Sequence, residues 1–198
     1  STQYQFKVQG LLQAVGTEDD SIVFTAASSL AGWGGIRFLN AHVNSRLEYC
    51  RLELGFAKGD FPDGCGGAVY MNGAIQSIRH CSFIKNDAWR EKTFGGGDFG
   101  SGIWISGGSM GCNVSFNNVG WSRGAGVRVS DSRRCNVSYN NVSYNNQATL
   151  GQAGIFIDSY SWQSNNHTVW DNFITHNPQY GVFIYGDNGA SAEGGRSG

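Results

Sequence analysis

Charge is scarce in this chain. Only 15% of its 198 residues are charged and the formal net charge is −1, so it carries neither the basic field that holds nucleic acid nor an acidic tail. It has no run approaching the roughly 18 apolar residues that a membrane span requires. The opening residues, STQYQFKVQG, lack the charged and apolar blocks of a signal peptide. Histidine is confined to positions 42, 80, 167 and 176, which form no short metal-ligand pattern and argue against zinc. Two prolines stand beside 30 glycines and many Asn and Ser, a mixture bordering on low complexity. Hydrophobic residues still make up 40% and aromatic residues 13%, enough apolar surface to order a turn-rich all-β protein. The length suits one domain over residues 1–198, with the Gly, Ser and Ala-rich stretch 186–198 expected to be a flexible tail.

What is abundant is self-similarity. A Gly followed by apolar, variable and apolar residues begins at Gly35, Gly67, Gly102, Gly126, Gly154 and Gly181, at intervals of 32, 35, 24, 28 and 27 residues. Behind the first five copies runs a second pattern. Leu47, Ile78, Val114, Val137 and Val169 share one position; three residues on stand Cys50, Cys81, Asn117, Asn140 and Asn172; two further on stand Leu52, Phe83, Val119, Val142 and Ile174. Alternation of apolar residues is the strand signal, and Asn tolerates a left-handed corner while bonding to backbone. The pattern predicts about six coils of three short strands, stacked in register about 4.8 Å apart with an Asn or Cys corner. No stretch sustains the three- and four-residue spacing of an amphipathic helix. A leucine-rich horseshoe is matched poorly, and a propeller needs four strands per repeat where three are read.

On the segments GLLQAVGTEDDSIVFTAA, GWGGIRF, NVSFNNV, NVSYNNV and VWDNFITHN, the chain resembles the pectin-lyase-like superfamily of right-handed parallel β-helices, the generic bacterial β-helix repeat proteins above all. The resemblance implies that glycan binds across the outer face of one sheet, bordered by long loops, and that calcium is the usual ion. The polygalacturonase and alginate-epimerase signatures are absent, so no catalytic residue carries over. The longest insertions, 56–66 and 87–101, precede first strands and should wall the first-strand sheet.

Period-two alternation turns Arg37, Val69, Trp104, Arg128, Phe156 and Phe183 outward on that sheet, with Ser106, Ser130, Asp158 and Tyr185 two residues later. Arg37, Trp104, Arg128, Phe156, Phe183 and Tyr185 are the expected substrate-binding residues, since rings stack on pyranose faces and guanidinium pairs with uronate carboxylate. The competing reading buries these aromatics beneath loops. Arg128, Asp131 and Asp158 are the catalytic candidates for uronate chemistry, against a plain cross-strand ion pair between Arg128 and Asp158. Asp131, Asp158 and Asp187 recur along one sheet edge, where a glycosidase would need two carboxylates roughly 5–10 Å apart. No cofactor is expected; Asp60, Asp63, Asp87 and Asp98 could offer oxygen ligands to calcium, though without a fixed spacing. Five cysteines leave at least one thiol outside any disulfide. Cys50, Cys81, Cys112 and Cys135 read as small inward-stacked residues, and Cys65 as the most exposed thiol.

These features predict a secreted or cell-surface β-helix that contacts polysaccharide, an acidic one included. A structural or interaction module, such as a fragment of a larger β-helix or fibre, and a uronate lyase are the alternatives. The tail makes a weak cap, which predicts self-association through the last coil or a further C-terminal region.

Overall fold

The period-two segments become strands that pair only with the matching strand of the next coil. The computed structural model describes residues 4–73, 76–90, 102–145, 153–158 and 166–186, and among these there is no helix. The first sheet has seven strands: Phe6–Val8, Ile36–Leu39, Val69–Asn72, Ile103–Ser106, Val127–Ser130, Ala153–Asp158 and Tyr180–Tyr185. The second and third sheets have six strands each and run from Gln13–Val15 to Thr168–Trp170 and from Ile22–Phe24 to Phe173–Thr175. All pairing is parallel, from Phe6 with Ile36 at one end to Val182 with Ile155 at the other. The result is a parallel β-solenoid in which six coils carry three described strands each, as the repeat predicts.

One face of every strand fills the axis. Leu47, Ile78, Val114, Val137 and Val169 stack from the second sheet, and Leu52, Phe83, Val119 and Val142 from the third, all buried. Each sealed aliphatic side chain contributes about 1.5–3 kcal/mol relative to exposure. At the last coil the equivalents Ile174, Val182 and Ile184 are only half-buried.

The expected register fails by one residue in one coil. Val69 pairs with Ile36 and Ile103, so it points into the core, and the outward residue of that coil is Tyr70. Ala68 therefore stands where other coils have Gly, and the Gly67 next to it mimics the motif. The small residue is demanded by close stacking: a Cβ on Gly102 would run into the carbonyl oxygen of Gly126.

The corner also differs from expectation in which residue turns. The left-handed conformation belongs to the residue before each ladder position, at Tyr49, His80, Phe116, Tyr139 and Asp171, with φ between 48° and 58°. The ladder residue instead uses its side chain as an acceptor. Asn117 Oδ1 receives the backbone N–H of Cys81 at 2.9 Å, Asn140 that of Asn117 at 3.0 Å and Asn172 that of Asn140 at 3.0 Å. A second ladder after the third sheet repeats the device: Asn86, Asn145 and Asn177 accept from Gly55, Ser122 and Asn145. There the turning residues are Leu54, Lys85, Trp121, Tyr144 and His176.

Of the two long insertions, the first covers the first sheet, and residues 91–101 of the second lie outside the described residues. Phe56–Gly59 and Asp87–Arg90 pair as an additional two-stranded sheet, and the segment after Phe56–Gly59 folds across the first sheet's outer face.

Candidate functional site

The outer face of the first sheet carries one continuous column, Arg37, Tyr70, Trp104, Arg128, Phe156 and Phe183, each in register with the next. It is a closed column. Arg37, Trp104, Arg128 and Phe156 are 2%, 4%, 1% and 7% exposed, which corrects the expectation of an open aromatic surface. Phe183 is half-buried and Tyr185 is exposed at the end of the sheet. The cover over the first coils is visible. The Arg37 guanidinium donates to the backbone carbonyls of Asp63, Cys65 and Gly66, and Phe61 lies edge-on to Tyr70 and Trp104 at 6.4 and 6.1 Å. Cys65, expected to be exposed, is sealed in that contact. Removal from water pushes the Arg37 pKa down to about 10, against the attraction of Cys65 and Asp63. Burial likewise raises the Tyr70 phenol, whose oxygen accepts from Asn72 Nδ2 at 3.1 Å.

Arg128 lies between two rings, 4.7 Å from the Trp104 centroid and 4.9 Å from that of Phe156. Its Nε donates to Ser130 Oγ at 3.0 Å and to Asp158 Oδ1 at 3.2 Å, and its Nη2 pairs with Asp158 Oδ2 at 2.5 Å. Ser130 Oγ also donates to Asp158 Oδ1, while Trp104 Nε1 donates to Ser130. Arg128 and Asp158 are thus the buried cross-strand ion pair. Asp131 follows at the corner, its backbone N–H bonded to the Asp158 carbonyl at 3.3 Å. Asp187 and Asp98 lie outside the described residues. Among the described residues no three His, Cys, Asp or Glu gather as metal ligands; Asp63 accepts from Gln5 and Asp87 faces Arg123 at 3.6 Å.

Open chemistry lies at the corner between the second and third sheets. Because the left-handed residue throws its side chain outward, Tyr49, His80, Phe116 and Tyr139 stack as parallel rings, with centroids 4.8, 5.2 and 4.7 Å apart and planes within 10°. Trp121, Tyr144 and His176 form a second stack on the next corner, 4.5 and 4.6 Å apart. Within each stack neighbouring rings cover one another's faces. The first coil differs: Val15 pairs with Glu48 and Ile22 with Cys50, so six residues, 16–21, stand where the later coils place a single ring. A groove of about 560 Å³ opens there, lined by Thr17, Glu18, Ser21, Tyr49, Arg51, His80 and Phe116 among others.

With this geometry in place, the sequence matches the right-handed β-helix region over residues 34–195. The chain belongs to the right-handed β-helix family. No curated protein and no solved structure gives a match to it. In this β-helix no helix among the described residues is long and apolar enough to cross a membrane. The groove escaped the repeat pattern because one of its walls is the first coil's corner, residues 16–21, which precedes the first Gly motif at Gly35. A signal did exist: Tyr49, His80, Phe116 and Tyr139 each stand one residue before a corner.

Proposed function

We propose that this β-helix binds polysaccharide outside the cell, seating a sugar against Tyr49 in the corner groove and not on the first-sheet face. The observation that carries the reading is the groove itself, in which Tyr49, His80 and Phe116 stand beside the exposed Thr17, Glu18 and Ser21 of the first coil's wider corner. A pyranose stacks its C–H face on such a ring. Thr17, Glu18 and Ser21 supply exposed polar groups for its hydroxyls, and Arg51, half-exposed beside Glu53 at 3.4 Å, suits a uronate carboxylate. The volume is within the range of about 300–1,000 Å³ common to ligand clefts.

Lyase chemistry at Arg128 and Asp158 has less support, because each already neutralises the other inside the protein, at 1% and 0% exposed. Self-association through the last coil belongs to the same proposal, supported by the half-buried Ile174, Val182 and Ile184.

The test is a binding screen across acidic and neutral polysaccharides, repeated with Tyr49→Ala. The variant should bind its best polysaccharide about five- to ten-fold more weakly and stay folded, with Tm lowered by the loss of stacking on His80. Undiminished binding by Tyr49→Ala would overturn the site. A new ultraviolet absorbance on mixing with pectin or alginate would favour the lyase.

A further inference from the structure

We infer that Cys50 and Cys81 form a redox site in which hydrogen peroxide converts the two thiols to a disulfide, while Cys112 and Cys135, stacked in the same way, stay reduced. Ser82 pairs with Arg51, so Cys81 lies directly opposite Cys50 on the adjacent coil. Neighbouring parallel strands are about 4.8 Å apart, inside the roughly 4.4–6.8 Å between Cα atoms that a disulfide spans. The Cys81 sulfur already lies against Cys50, whose backbone N–H donates to Cys81 Sγ at 3.4 Å. Asn113 pairs with Asn136, which gives Cys112 and Cys135 the same adjacency.

Access separates the two pairs. Cys50 and Cys81 are 1% and 3% exposed and form part of the lining of the corner groove, whereas Cys112 and Cys135 are both 0% exposed. Peroxide is small enough to use that opening. The hydrogen bond from Cys81 holds the Cys50 thiol below its ordinary pKa, which favours Cys50 as the attacking thiolate.

The chemistry balances without a further reagent. Cys50 sulfur attacks one peroxide oxygen and the O–O bond breaks; hydroxide leaves and takes up the Cys50 proton as water, giving a sulfenic acid. Cys81 sulfur then attacks Cys50 sulfur, the S–O bond breaks, and the hydroxide leaves as a second water with the Cys81 proton. Two thiols lose two electrons and one peroxide gains them. The Cys81 thiol, held well above its ordinary range chiefly by Cys50 and by burial, becomes easier to ionise once Cys50 has lost its own negative charge.

The experiment treats the folded protein with hydrogen peroxide, quenches with catalase, counts thiols in denaturant and maps non-reduced peptides. The protein should lose two of its five thiols, yield a peptide pair joined through Cys50 and Cys81, and recover all five with dithiothreitol. Closing a loop of 31 residues should raise Tm by on the order of 5–10 °C. Cys112→Ser should still lose two thiols, and Cys50→Ser none to a disulfide. Five surviving thiols, a bond mapped to Cys112 and Cys135, or Cys50 driven to sulfinic acid beside an intact Cys81 would each overturn the inference. Sugar plays no part in this measurement, so its outcome is independent of the binding proposal.

Discussion

Asn140 holds Asn117 twice, its Oδ1 accepting both the backbone N–H and the Nδ2 of Asn117 at 3.0 Å. Its own Nδ2 donates to the Val114 carbonyl at 2.9 Å, so one side chain satisfies two buried backbone groups of the preceding coil. Asn140→Ala strands these groups away from water and should cost about 2–4 kcal/mol in urea unfolding. Asn140→Cys should cost less, because Cys81 fills the same position and its sulfur accepts the Cys50 N–H, only at a longer 3.4 Å. Equal losses for the two variants would show that acceptance of the N–H is not what stabilises the corner.

Trp104 is a structural ring. It is 4% exposed, packed edge-on against Tyr70 and Phe61, and covered by Arg128. Trp104→Ala should lower stability by about 3–5 kcal/mol while the folded variant keeps its affinity for polysaccharide. Urea unfolding and a binding isotherm on the same preparation check both halves. Normal stability with lost binding would return the sugar to the first-sheet face.

Strand positions were legible because an apolar core imposes period two and stacking imposes a constant offset from Leu47 to Cys50 to Leu52. The one slip, at Val69, arose where Gly67 and Ala68 are both small enough to stand beneath the next coil. Burial of Arg37 and Trp104 was not legible, since the period separates inward from outward but cannot say whether a loop returns over the outward side. Here residues 61–66 return, and Arg37 pins them through three carbonyls. The ring stacks were hidden for another reason. Left-handed φ is uncommon for Tyr or Phe, and the cost of each such corner, about 1–2 kcal/mol, is offset by ring stacking that only the third dimension reveals.

His167 should make the protein acid-sensitive. It is buried at 3% exposure with Nδ1 accepting the Cys135 N–H at 3.3 Å, and desolvation holds its pKa below the ordinary 6.5, partly offset by a backbone bond at Ser132. Well above pH 6.5 both states are neutral there and His167 adds no pH dependence. As pH falls below the unfolded value, the unfolded chain takes up a proton that the folded one refuses, so stability declines until the lowered folded pKa is passed. The urea midpoint of the wild type should drop between pH 7.5 and 5.5 by more than that of His167→Gln. Parallel drops would remove His167 as the cause.

The Arg128 and Asp158 pair should behave as a closed unit. Its side chains are 2% and 0% exposed and joined at 2.5 Å, so Asp158→Asn leaves a guanidinium in low dielectric without its counter-charge. That substitution should cost about 3–5 kcal/mol, and Arg128→Met alone a similar amount through the stranded carboxylate. Removing both charges together, as Arg128→Met with Asp158→Asn, should recover a large part of the summed loss, since the desolvation of two ions disappears with their attraction. A double-mutant cycle by urea unfolding measures this. Losses that simply add would mean that each residue is held by its other neighbours, Trp104 and Phe156 for the cation and Ser130 for the carboxylate, more than by its partner.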